Sequence, residues 1–172
     1  MTYSSRNCFT SCGFGRWFGA APAGDLQRAY VETFDLQKRS SLYLTFFAEG
    51  DTRKRGQALL ALKRLYRAAG LELDTPELPD FLPVILEFAA VGPAGAGQRV
   101  LADHRSALEL LRLHLAELAS PYAHVVDAIC ASLPAPQLDA VARLLREGPP
   151  VEKVGLEPFA PPEVMPVDAG SR

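Results

Sequence analysis

Residues 51–69 read DTRKRGQALLALKRLYRAA, and their pattern decides the fold class more clearly than any other segment. Four of them recur at steps of three and four and so share one helix face: Leu59, Leu62, Tyr66 and Ala69. Asp51 precedes the pattern as a candidate N-cap, and Gly70 follows it at the C′ position where helices commonly end. The segment therefore predicts an amphipathic helix over 51–69.

The flanking sequence continues this helical periodicity. Upstream, helices are predicted from Asp25 onward and over Leu36–Phe47, the second ending at Gly50. The aromatic and threonine content of the second segment also allows a strand, although no partner strand is evident. Downstream, a helix is predicted to start at Thr75-Pro76 with a break near 79–83, and a loop is predicted over 92–97. A long helix over 98–119 follows, and two further helices are predicted to begin near Ser120-Pro121 and Pro136.

These segments predict an all-α protein, a helical bundle with an irregular, proline-rich C-terminal tail. The expected organisation is an irregular segment over 1–24, a helical domain over 25–147 and the tail over 148–172. The glycines at 13, 15 and 19 lack the spacing and the preceding strand of a dinucleotide-binding loop, so the first segment carries no such motif.

Composition narrows the class of protein. The 172 residues are 48% hydrophobic and 22% charged, with a net charge of -2, which favours one globular domain and disfavours binding to nucleic acid or anionic membranes. Three cysteines form no regular disulfide framework and supply too few ligands for structural zinc. The sequence shows neither a continuous apolar signal segment nor a stretch of membrane-spanning length, so a cytoplasmic location is expected.

The histidines and carboxylates that could carry chemistry each have a functional and a structural interpretation. Histidines 104, 114 and 124 are spaced by ten, which does not align them as a metal-binding pair on a helix, and surface or half-buried roles are expected. Clustered carboxylates suit either acid–base work or helix capping; they are Glu32, Asp35, Asp51, Glu77, Asp80 and Glu87. The basic run 53–55 is typical of a solvated face.

Several strings occur together in a fixed order. They are YVETFD at 30–35, SLYLT at 41–45, GDTRKRG at 50–56, ELPDFLP at 77–83 and LEF at 86–88. This combination resembles the NarJ family, the nitrate reductase molybdenum cofactor assembly chaperones, which are related to the TorD-type redox-enzyme chaperones. The resemblance extends from about Tyr30 to Pro166, including GLEPF at 155–159.

The resemblance implies a helical bundle without catalytic activity. Such chaperones bind the N-terminal segment of the unfinished catalytic alpha subunit of respiratory nitrate reductase in the cytoplasm. They assist insertion of molybdopterin guanine dinucleotide without holding it stably, and they are absent from the mature membrane complex. Family members usually carry several more helices before the YVETFD motif. A shortened or atypical N-terminus is therefore expected here, with part of the bundle's apolar face uncovered.

The same resemblance implies a client-binding groove in which apolar groups receive an amphipathic helix and charged groups meet its polar residues. The implied client-binding residues are Tyr30, Glu32, Phe34, Asp35, Leu44, Asp51, Arg53, Arg55, Tyr66, Glu77, Pro79, Asp80, Leu82, Pro83, Glu87 and Phe88. Two alternatives remain at this point. One is a chaperone for an N-oxide or sulfoxide reductase, and the other is a hydrolase that uses Glu32, Asp35 and Asp80.

Overall fold

The computed structural model describes residues 13–50 and 52–150. Across these residues the chain is helical and contains no strand beyond a single isolated bridge, which confirms the all-α prediction. The α-helices are α1 (Gly13–Ala20), α2 (Ala23–Tyr30), α3 (Leu44–Glu49), α4 (Arg53–Ala68), α5 (Leu82–Val91), α6 (Ala96–Asp103), α7 (Arg105–Glu117), α8 (Ala123–Ala131) and α9 (Leu138–Glu147). A π-helical turn (Val31–Asp35) continues α2, and a 3-10 turn (Lys38–Ser40) precedes α3.

Helix α7 lies at the centre of the bundle. Leu108, Leu111 and Leu115 are each 0% exposed and follow the spacing of three and four residues that keeps one helix face inward. Helices α3, α8 and α9 pack around α7, and α6 packs against α5. The core therefore forms around this leucine stripe.

Helix α4 agrees closely with its predicted boundaries. Leu62 and Tyr66 are buried, as the pattern predicted. Gly70 has a φ of 75°, and its N–H bonds to the Arg67 carbonyl while the Leu71 N–H bonds to that of Tyr66. These two hydrogen bonds form a Schellman motif, in which glycine is the preferred residue at the C′ position. The proposed cap Asp51 lies outside the described residues, and the helix is preceded by Thr52.

Three predictions for the chain after α4 were wrong. The long helix over 98–119 is divided at His104, whose φ of −99° and ψ of 18° are not helical, and whose ring Nδ1 lies 2.8 Å from the Val100 carbonyl oxygen. Ala96 and Gly97, predicted as loop, begin α6 instead. Thr75-Pro76 starts no helix, because the Thr75 hydroxyl accepts from the Glu77 N–H in a turn and α5 begins only at Leu82.

The segments before α4 also differ from their predictions. Residues 13–20, 23 and 24 are helical rather than irregular, and the predicted helix over 36–47 is replaced by a short turn and by α3. The break arises because Tyr43 pairs with Phe81 through an antiparallel bridge, which is incompatible with a helix through that residue. Residues 1–12 and 151–172, including most of the predicted tail, lie outside the described part of the chain.

Candidate functional site

Two of the strings quoted above meet in space. The N–H of Leu44 donates to the Asp80 carbonyl at 3.1 Å, and the N–H of Leu82 donates to the Leu42 carbonyl at 2.8 Å. The rings of Tyr43 and Phe81 lie 5.3 Å apart on this bridge. The SLYLT and ELPDFLP segments are therefore one structural unit, although about 35 positions separate them in sequence.

Asp80 anchors this unit from within. Its side chain is 0% exposed, and its Oδ2 accepts from the N–H of Thr45 at 3.2 Å and from the Thr45 hydroxyl at 2.5 Å. Thr45 stands in the first turn of α3, where backbone N–H groups lack helical partners, so Asp80 acts as a helix cap supplied by a distant segment.

Arg55 of α4 places a positive charge beside the buried negative charge of the Asp80 carboxylate. Its Nη2 lies 3.7 Å from Asp80 Oδ2, and its Nε donates to the Thr45 hydroxyl at 3.3 Å. The guanidinium also lies 5.9 Å from the ring centroids of both Tyr43 and Phe46, within reach of a cation–π contact. Arg55 thus joins the buried cap to the aromatic wall of the neighbouring cleft.

Two tyrosine hydroxyls hold the ELPDFLP segment in place. Tyr66 donates to the Pro79 carbonyl at 2.6 Å, and burial followed by the charge of Asp80 raises the pKa of Tyr66 to about 12. Tyr43 donates to Glu77 Oε2 at 2.8 Å, and burial followed by this hydrogen bond raises its pKa to about 12. Both phenols remain neutral donors throughout the physiological pH range.

An open cleft of about 750 Å³ lies beside this unit. Its wall combines aromatic rings with groups of both charges, including Asp35 and Glu77 as anions and Lys38 and Arg55 as cations. The full lining is Tyr30, Phe34, Asp35, Gln37, Lys38, Ser41, Leu42, Tyr43, Phe46, Arg55, Glu77, Leu78 and Phe81. Such a surface suits a partner that presents both apolar and charged side chains.

A second cavity, of about 640 Å³, shares Lys38 and Phe46 with the cleft and is more apolar. Phe47 of α3, Leu110 of α7 and Leu144 of α9 contribute to its lining. Lys38 of the 3-10 turn and Phe46 of α3 therefore contribute to two neighbouring depressions.

The sequence model of one family, described as the nitrate reductase delta subunit, matches residues 13–127. The chain is a member of the nitrate reductase delta subunit family. The resemblance to NarJ-type proteins noted from the ordered motifs is thereby confirmed at the level of the family.

Curated relatives of this delta-subunit family member include three named proteins. The nitrate reductase-like protein NarX of Mycobacterium tuberculosis H37Rv is 48% identical over 101 residues, which are 59% of this chain and 16% of NarX. The probable nitrate reductase molybdenum cofactor assembly chaperone NarJ of Bacillus subtilis 168 is 38% identical over 104 residues, 60% of this chain and 56% of that protein.

NarJ of Escherichia coli K12, named as a nitrate reductase molybdenum cofactor assembly chaperone, is 38% identical over 105 residues, which are 61% of this chain and 44% of that protein. The matched part thus spans about half the length of the two NarJ chaperones, and much less of NarX.

The delta-subunit fold divides the predicted client-binding residues into groups. Six are buried rather than exposed along a groove: Leu44, Tyr66, Pro79, Asp80, Leu82 and Phe88. Five line the cleft: Tyr30, Phe34, Asp35, Arg55 and Glu77. Four others are exposed and lie outside the cleft lining: Glu32, Arg53, Pro83 and Glu87. Asp51 lies outside the described residues.

Sequence reasoning missed part of the cleft. Tyr43, Phe46 and Phe81 form its aromatic wall but were not selected, although the first and third lie inside the quoted motifs. The sequence pattern that could have indicated these three residues is the high density of aromatic residues over 43–47, together with the aromatic residue at 81. It was ambiguous because aromatic residues at such spacing occur more often in a core than on a binding surface.

His104 is half-buried and His124 exposed, as expected, whereas the same expectation was wrong for His114. His114 is buried, with Nε2 3.2 Å from the Gln37 side-chain oxygen and Nδ1 3.5 Å from Glu117. Cys130 is buried in the core, and burial raises the pKa of its thiol. Among residues 13–50 and 52–150, no three acidic, histidine or cysteine side chains gather as a possible metal site.

Proposed function

We propose that this chain is an assembly chaperone for a molybdenum-containing nitrate reductase. In this proposal it binds the N-terminal segment of the unfinished catalytic alpha subunit in the cytoplasm, and its client then receives molybdopterin guanine dinucleotide before joining the membrane complex. The chaperone itself holds no cofactor and remains outside the mature complex. The names of the relatives support the assembly role, and the cleft supports the binding of a peptide.

The observation that carries the proposal is the composition of the cleft wall. Tyr43, Phe46 and Phe81 offer apolar surface to one face of an amphipathic helix, while Asp35 and Glu77 favour basic residues on it.

The described helices include none long and apolar enough to cross a membrane.

The binding affinity expected for such a site suits a client that must later be released. Burial of about four apolar side chains contributes roughly 6 to 12 kcal/mol. Ordering a flexible peptide costs about 2 to 5 kcal/mol of that. The remaining roughly 4 to 7 kcal/mol corresponds to dissociation constants from about millimolar to about ten micromolar.

A non-catalytic role agrees with the arrangement of the carboxylates. Of the three carboxylates in the hydrolase alternative, Asp80 is enclosed and engaged as a helix cap, Asp35 lines the cleft, and Glu32 lies outside the cleft lining. These groups do not converge on one open position where a substrate and a water molecule would react. The hydrolase alternative predicts that Asp80→Asn abolishes a turnover, whereas the proposal predicts reduced stability.

The test is calorimetric titration of the folded full chain with a synthetic peptide of the alpha subunit's first residues. Saturable binding in the micromolar to millimolar range is expected, with a scrambled peptide of equal composition as the control. Peptides from an N-oxide or a sulfoxide reductase test the alternative client. Absence of saturable binding to the nitrate reductase peptide, with the chain shown to be folded by circular dichroism, would contradict the proposal.

A further inference from the structure

A cluster of aromatic rings lies between α1 and the cleft. Tyr122 is at its centre, with its ring 5.5 Å from those of both Phe14 and Trp17 of α1. On its other side the Tyr122 ring lies 4.8 Å from Phe34 and 6.4 Å from Tyr30. Because Tyr30 and Phe34 also line the cleft, its aromatic surface is connected to α1 through Tyr122.

Helix α1 is held on this surface without entering the core. None of its residues is buried, and Phe18 is 54% exposed. Its first residue, Gly13, packs so closely on His124 that a Cβ atom there would lie 2.7 Å from the ring Nε2. A short helix that buries no residue is among the elements that separate from a fold most readily.

We propose that α1 occupies the outer part of the client-binding surface and that an aromatic, amphipathic helix of the client displaces it. This inference rests on the proposed function and deepens it by naming the surface and the chemistry of the segment that binds there. The client helix would carry aromatic residues at the spacing of Phe14 and Trp17, and would place them on Tyr122 and the neighbouring Phe34 and Tyr30.

Two observations support this choice of occupant. The residues of α1 that meet Tyr122 are aromatic and lie three positions apart, so the surface already accommodates one face of a helix of this kind. The pKa of Tyr30 is raised by burial and then by the charges of Asp35 and Glu77, so negative potential borders the cluster. A basic residue beside the aromatic ones, as Arg16 is in α1, would therefore be favoured.

The chain itself contains the probe for a direct test. Trp17 is the single tryptophan of the 172 residues, so the intrinsic tryptophan fluorescence reports the environment of α1 alone. The full chain is titrated with the alpha-subunit peptide, in which any tryptophan is replaced by phenylalanine. We expect the emission of Trp17 to shift to longer wavelength as α1 leaves Tyr122, with the same midpoint as the calorimetric titration.

The outcomes separate the two proposals. Saturable binding by calorimetry with unchanged Trp17 emission overturns the displacement of α1 and leaves the proposed function intact. No binding by either method overturns both. A coincident spectral shift and heat of binding supports both.

Variants give an independent measure of competition. Trp17→Ala loosens the competing helix, so the peptide should bind more tightly, by about twofold to tenfold, because a larger fraction of the protein is competent to bind. Tyr122→Ala removes the shared surface and should weaken binding. Phe18→Ala is the matched control, since it removes an aromatic ring that stacks on Phe14 and is largely exposed, and a smaller change is expected. Weaker binding by Trp17→Ala, in a chain with unchanged circular dichroism, would overturn the displacement.

Discussion

The carboxylate of Asp80 caps α3 through Thr45, accepting hydrogen bonds from both its backbone N–H and its hydroxyl. The two residues lie 35 positions apart, and both are almost completely buried. This contact caps the first turn of α3 and, together with the Tyr43–Phe81 bridge, keeps the ELPDFLP segment against it. The aromatic wall of the cleft therefore depends on a group that does not itself line the cleft.

Replacement of Asp80 should destabilise the fold. Asp80→Ala leaves the Thr45 N–H without its acceptor and removes the carboxylate that lies 3.7 Å from the Arg55 guanidinium, so the free energy of unfolding should fall by about 2–4 kcal/mol. Asp80→Asn retains an acceptor and should cost less. Denaturant unfolding measures both. Asp35→Ala, at an exposed position, is the control and should change stability by less than about 0.5 kcal/mol. Equal stability of Asp80→Ala and the wild type would contradict the capping role.

The Tyr66 hydroxyl provides a second test of the same unit. Tyr66→Phe removes the donor to the Pro79 carbonyl, which is left buried without its partner, and about 1–3 kcal/mol of stability should be lost. Tyr30→Phe removes a hydroxyl from a partly exposed ring and should have a smaller effect. If the two variants unfold at the same denaturant concentration, the hydrogen bond to Pro79 contributes nothing to the fold.

Alkaline pH should weaken the fold through the tyrosines. The pKa values of Tyr43 and Tyr66 are raised from 10.0 to about 12 in the folded state. Between these values the unfolded chain loses the phenolic protons and the folded chain keeps them. Their contribution is therefore complete below pH 10 and is lost as the pH rises towards 12. Unfolding curves across this range should show a shallower decline for Tyr66→Phe than for the wild type, and parallel declines would contradict the prediction.

Glu109 should give the opposite pH dependence. Hydrogen bonds from Arg112 and Arg105 lower its pKa, and its side chain is 12% exposed. Its stabilising contribution is thus present above its ordinary pKa of 4.5 and is lost as the pH falls through the lowered folded value. Glu109→Gln should cost about 1–2 kcal/mol near neutral pH. This difference from the wild type should shrink in acid, and a constant difference would argue against the ion pairs as its cause.

The cleft can be tested by reversing one charge. Asp35→Lys places a cation where we propose that basic residues of the client bind, so the dissociation constant for the alpha-subunit peptide should rise by about threefold to tenfold, on the scale of 1.4 kcal/mol per factor of ten. Asp103→Lys, at an exposed position outside the cleft lining, makes the same change in net charge. Equal weakening by both variants would indicate a general charge effect instead of a contact in the cleft.

The amino-acid sequence by itself determined the helical class and the family. Helical periodicity depends only on neighbours three and four positions away, so it is enough to place two sets of residues in the core. These sets are Leu62 with Tyr66, and Leu108 with Leu111 and Leu115. The end of α4 at Gly70 was predictable for the same reason, since its capping bonds are local.

Tertiary structure alone decided which motif residues are core and which line the cleft. Three contacts join segments that lie 13 to 38 positions apart in the sequence. They are the pairing of Tyr43 with Phe81, the capping of Thr45 by Asp80 and the hydrogen bond from Tyr66 to Pro79. No local pattern specifies such contacts, because burial of a polar side chain becomes favourable only when a distant partner satisfies it. For the same reason, Asp80 and Asp35 look alike in the sequence and have different positions in the fold.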